Sequence, residues 1–90
     1  MIASHAERLR IIREMEAISG RIDALRADWK LACDTEDEIV RLYDKGRRTL
    51  DHVRAANQRS NERWRAYQDA CTEGERLLAL SQASRGVVAS

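Results

Sequence analysis

Large apolar residues in this chain recur in alternating steps of four and three: Ile11, Met15, Ile18, Ile22, Leu25, Trp29 and Ala32. That spacing defines a heptad seam on one face of a helix, with Ile11, Ile18, Leu25 and Ala32 at one core position and Met15, Ile22 and Trp29 at the other. The same count continues through Glu36, Ile39, Tyr43, Gly46, Leu50, Val53, Asn57, Ser60, Trp64, Tyr67, Cys71, Gly74 and Leu78. A register unbroken from 11 to 78 leaves few architectures. Either one helix ~100 Å long takes a partner along its whole length, or the chain folds back and covers its own seam.

Composition agrees with helices. The 90 residues include no Pro, no Phe and only four Gly, and 34% are charged. Turn residues are too scarce for a sheet, and a chain of this length forms one domain with a modest core. The formal net charge of +1 gives no global attraction toward nucleic acid or anionic membrane. Fourteen Arg against two Lys point to a GC-rich coding genome, hence a bacterial or mobile-element source. The opening "MIASHAERLR" has no signal-peptide core, and no apolar run approaches the roughly 20 residues of a membrane span, so a cytoplasmic protein with no membrane partner is expected.

The stretch "CDTEDEIVRLYDKG" decides between rod and hairpin. Ser4 and Glu7 have capping-box spacing and start a helix; Thr35 and Glu38 repeat it, with Asp34, Glu36 and Asp37 adding the negative charge that favours a helix N-terminus. In a rod, Glu36 occupies a core position without an obvious mate. The positions flanking the seam hold Ile12, Cys33, Val40, Leu42 and Leu77, which makes the apolar face wider than a zipper. These features predict an all-α antiparallel hairpin with coiled-coil-like packing: a helix over about 4–33, a turn at about 34–36, a longer helix over about 36–82, and a disordered tail at 84–90, with residues 1–83 as one domain. In that register Trp29 lies near Tyr43 and Leu25 near Gly46.

Unequal helices leave the end of the second without intrachain cover. Trp64, Tyr67, Cys71, Leu77, Leu78 and Leu80 are therefore the expected partner or dimer interface, and two copies are expected to make a four-helix arrangement. Asn57, Ser60 and Asn61 within "NQRSNERW" offer an alternative break that would give a monomeric three-helix bundle. With Asn57 on the seam, a polar layer extended by Ser60 would fix register.

No motif carries catalytic or cofactor chemistry. Glycine-rich phosphate loops, HExxH, GxSxG and EF-hand patterns are missing from the sequence, and neither His5 nor His52 shares a ligand spacing with another donor. Cys33 and Cys71, 38 residues apart, read as free thiols packed as small hydrophobes. The sequence therefore implies no enzyme, no metal and no cofactor. It implies instead an interaction protein, such as an adaptor, a chaperone-like partner or an inhibitor, whose partners are a second copy and an unidentified protein. The alternative is a nucleic-acid-associated regulator. Residues 41–65 hold eight Arg or Lys against three Asp or Glu, and Arg41, Lys45, Arg47, Arg48, Arg54 and Arg59 are the candidate phosphate contacts.

Overall fold

The structure, a computed structural model, describes the backbone of residues 4–89 and side chains through residue 83. It is a two-helix hairpin, with α1 (His5–Asp44) and α2 (Leu50–Ala89) each 40 residues long. The helices pack antiparallel into a body of 65 × 17 × 15 Å. Expected class and topology hold at this level. The position of the turn does not, because the chain reverses at residues 45–49 and α1 runs straight through 34–36.

Local chemistry explains both outcomes. The Thr35 hydroxyl does not cap a helix; it donates back to the Leu31 carbonyl at 2.9 Å, which keeps the residue inside α1. Asp34, Asp37 and Glu38 stay exposed on the outer side, and Glu38 pairs with Arg41 at 3.5 Å. Gly46 provides the true stop. Its φ of 74° is the left-handed conformation that a residue lacking Cβ adopts freely. The Gly46 N–H donates to the Tyr43 carbonyl at 2.9 Å and the Arg47 N–H to the Leu42 carbonyl at 2.8 Å, the two bonds of a Schellman cap.

Thr49 then starts α2. Its hydroxyl accepts the His52 N–H at 3.4 Å, while the Thr49 N–H donates to His52 Nδ1 at 3.2 Å. An imidazole so takes the place that Glu or Gln holds in a capping box. At the other end, Ser4 caps α1 as its spacing predicted, with its hydroxyl accepting the Glu7 N–H at 3.1 Å.

On α1, the seam from Ile11 to Ile39 is the half-buried face, Glu36 included. On α2 the covered face runs Val53, Ala56, Ser60, Tyr67, Ala70, Gly74, Leu77 and Ser81. Asn57, Trp64, Cys71 and Leu78, expected on the seam, stand one position to its side. Trp29 is the reference for register: its ring lies 4.6 Å from that of Trp64 and is stacked 6.0 Å from that of Tyr67. The expected Trp29–Tyr43 neighbourhood does not form, and Tyr43 is exposed near the tip. At Gly74 the helices come close, since a Cβ there would sit 3.2 Å from Ile22 Cδ1.

The helices are equal in length, so the predicted overhang does not exist. Nor is there a break within 57–61, which removes the three-helix alternative: Asn61 bonds back to Asn57 at 3.3 Å and the helix continues. The backbone is helical to Ala89 across most of the segment expected to be a tail; Ser90 and the side chains from 84 onward lie outside the described residues.

Candidate interaction surface

Inside the hairpin the distinctive feature is polar. Glu36 accepts the Asn57 side-chain amide at 3.0 Å on one carboxylate oxygen and the Ser60 hydroxyl at 3.1 Å on the other. Ser60 is buried. The charge that had no obvious mate in a rod thus finds two donors on the opposite helix, in the layer where Asn57 and Ser60 were expected to set register. The layer joins an amide and a hydroxyl of α2 to a carboxylate of α1.

The two long edges of the hairpin differ in chemistry. One edge carries Ile12, Ser19, Arg26, Cys33 and Val40 of α1 beside Leu50, Asn57, Trp64, Cys71 and Leu78 of α2, each set spaced by seven. A groove lined by Met15, Ser19, Ile22, Cys71, Gly74 and Leu78 runs along it. The opposite edge carries Glu14, Arg21, Asp28 and Thr35 facing Arg59, Ala66 and Glu73, and Asp28, Arg59 and Arg63 line its groove. Of the apolar flanking residues legible in the sequence, Ile12, Cys33 and Val40 fall on the first edge, Leu42 falls on the second and Leu77 is buried between the helices, while Leu31 is exposed in the groove of the second edge.

The predicted interface residues separate accordingly. Leu77 is buried against α1, while Trp64, Tyr67 and Cys71 are half-covered within the chain. Leu78 and Leu80 stay exposed at 46% and 44%, with Leu78 on the apolar edge and Leu80 on the charged one. Ile12, Val40 and Leu50 join Leu78 as large exposed side chains of the apolar edge. The whole chain exposes 6948 Å², against about 5,350 Å² for a compact monomer of its 10.3 kDa mass. Among the described side chains no large one is fully buried.

Both thiols are free and lie on the apolar edge. They are about ten residues of helix apart along the axis, ~15 Å, too far for an intrachain disulfide. Burial raises the Cys33 pKa, with further contributions from Glu36, Asp37 and Asp34. The Tyr67 hydroxyl is also raised, first by its hydrogen bond with the Cys71 side chain.

The basic residues do not form a helix stripe. Arg41, Lys45, Arg47, Arg48 and Arg54 surround the 45–49 turn, whereas Arg59 lies along the charged groove. Arg41 pairs with Glu38 and Arg54 with Asp51, and among the described residues Lys45, Arg47 and Arg48 have no ion pair. Asp44 and Arg48, four residues apart, do not share a helix, because α1 ends between them. His5 is exposed in the first turn of α1. Among the described residues, no group of three or more His, Cys, Asp or Glu is placed to hold a metal, and no helix is long and apolar enough to cross a membrane. The chain matches no protein-family model, no curated protein and no solved structure.

Proposed function

We propose that this protein is a non-enzymatic interaction module that works through its helical surfaces, with a second copy of itself as its first partner in a four-helix arrangement. The observation that carries this reading is the apolar edge marked by Ile12, Val40, Leu50 and Leu78. Apolar side chains aligned at heptad spacing along one side of a rod gain free energy when another apolar surface covers them. The assembled helices would then serve as an adaptor, a chaperone-like partner or an inhibitor in a bacterial or mobile-element cytoplasm.

Solution mass by light scattering tests the reading. Wild-type protein is expected at twice the 10.3 kDa chain mass, and Leu78→Glu at or near the single mass with helicity by circular dichroism preserved. A monomeric wild type would contradict self-association. Leu77 is unsuitable for this test because it is buried within the hairpin.

A second reading draws on the turn, where Lys45, Arg47 and Arg48 project beside an exposed Tyr43. Basic side chains next to a ring able to stack on a base are what a single-stranded nucleic acid would need. Salt-dependent RNA or DNA binding that is lost in a Lys45→Glu, Arg47→Glu, Arg48→Glu variant would support it; binding indifferent to those changes would dismiss it.

A further inference from the structure

Resting on the homodimer reading, we propose that the two copies meet through α2, antiparallel, about a two-fold axis that passes beside Trp64. On the apolar edge Leu50, Asn57, Trp64, Cys71 and Leu78 repeat by seven, and Arg54, Asn61, Gln68 and Glu75 stand between them in steps of four and three. Cys71, Glu75 and Leu78 line the same groove, which places both sets on one side of α2. This line is separate from the one that packs on α1, and the leucines at its two ends, Leu50 and Leu78, are 45% and 46% exposed.

A two-fold axis perpendicular to a helix sets that helix antiparallel to its own copy, so residues meet at a constant sum of their numbers. Centred on Trp64, the line complements itself. Leu50 meets the partner's Leu78, Arg54 the partner's Glu75, Asn57 the partner's Cys71 and Asn61 the partner's Gln68, while the two Trp64 indoles come together beside the axis. Every contact except the last occurs twice, as a closed isologous pair requires. Apolar groups thus cover apolar groups at both ends, and a cation faces an anion one turn further in. Among the described residues Glu75 has no ion pair, and Arg54 reaches only Asp51, at 3.9 Å. A slip of one heptad removes the match in either direction: one sets Leu78 against Asn57 and Glu75 against Asn61, the other Leu50 against Cys71 and Arg54 against Gln68.

The equivalent line on α1 does not select itself. About an axis beside Arg26, Ile12 would meet Val40, but Arg26 would face its own copy, and two Glu16–Asp37 oppositions would cancel the two Asp23–Lys30 matches. The contact helix is therefore α2, and Ile12 and Val40 flank the pair. Charge also sets the sense of the dimer. Residues 41–54 around the turn hold five Arg or Lys against two Asp. An axis along the hairpin would bring two such tips side by side, whereas the axis beside Trp64 sets each tip near the partner's open end, where residues 4–16 carry three Glu and three Arg.

Charge exchange tests the register. Arg54→Glu alone places a carboxylate opposite Glu75, and Glu75→Arg alone places a guanidinium opposite Arg54. Each is expected to weaken the dimer roughly tenfold, read as mass against concentration by analytical ultracentrifugation at low salt. The double variant, and an equal mixture of the two single variants, are each expected to recover wild-type affinity, because both arrangements set a cation against an anion again. Positions 54 and 75 lie about 31 Å apart along one helix, so no contact within a chain produces that recovery. Single variants that dimerise as tightly as wild type would overturn the register, as would a weakening that the double variant does not recover. Independently, a spin label at Arg47 is expected to report ~50 Å between the two tips. A tip-to-tip distance below ~25 Å in a dimer would overturn the antiparallel arrangement while leaving the homodimer intact; a wild type that is monomeric at every concentration would overturn the homodimer itself.

Discussion

The Ser60 hydroxyl reaches across the helix pair to Glu36 at 3.1 Å, and this contact exists only if the chain turns near Gly46. A half-buried carboxylate bonded by two side chains of the other helix ties the register of α1 to that of α2. Replacing Glu36 with Ala removes both cross-helix bonds. The expected loss is about 1–3 kcal/mol in urea unfolding, with a smaller loss for Glu36→Gln, which still bonds one donor. Wild-type stability in Glu36→Ala would mean the layer does not form.

Glycines at three places have three different roles. Gly46→Ala forces a side chain into the left-handed cap and is expected to cost about 1–2 kcal/mol. Gly20 lies inside α1 with nothing within 4 Å of an added Cβ, so Gly20→Ala is expected to raise stability by about 1 kcal/mol. Thermal melts of the pair would move in opposite directions.

Gly74 is the point of close approach. Gly74→Leu places a branched side chain where a Cβ already meets Ile22 at 3.2 Å. Overpacking there is expected to cost about 1–3 kcal/mol in chemical denaturation and to open the groove beside Cys71. An unchanged midpoint would show the helices to be farther apart at this level.

The cap of α2 depends on His52 accepting at Nδ1, which places the ring proton on Nε2. His52→Ala is expected to lower stability by about 0.5–1 kcal/mol, and His52→Glu, with the usual capping-box partner, to recover it. Equal stability of all three would exclude a capping role.

Alkali should loosen the hairpin. The Cys33 pKa is higher in the folded chain than in the unfolded one, so the folded state holds its proton where the unfolded state has lost it. Stability from this source is complete below the unfolded thiol's value of about 8.5 and falls as pH rises toward the folded value. Tyr67 adds a loss of the same sign above about 10. Denaturation midpoints followed from pH 7 to 11 are expected to decline, and Cys33→Ser to remove the first part of the decline.

The seam on α1 was readable from residue spacing because the helix is straight and its large side chains, Ile18, Ile22 and Trp29 among them, all face one neighbour. The turn was misread because cap signals are local and ambiguous. Thr35 and its acidic neighbours satisfy the same sequence pattern whether they begin a helix or sit inside one; the difference is made by the donors Asn57 and Ser60, more than twenty residues away. The signal at the real turn was present in "YDKGRRT", where a Gly is followed by Thr three residues later. It was masked because Gly46 also fits the heptad count. Once the reversal moves by about eleven residues, the uncovered stripe at Tyr67 and Leu77 disappears. What remains exposed is the flank one position over, at Leu78, Val40 and Ile12.

The hairpin closed at Gly46 is tested most directly by one distance within a chain. Spin labels at Lys30 and Arg65, both exposed, in protein diluted with unlabelled chains, are expected to lie within about 25 Å of each other. A separation near 36 Å would put the turn back at 34–36, and one near 52 Å would mean an unbroken helix; either result would contradict the fold and every surface derived from it.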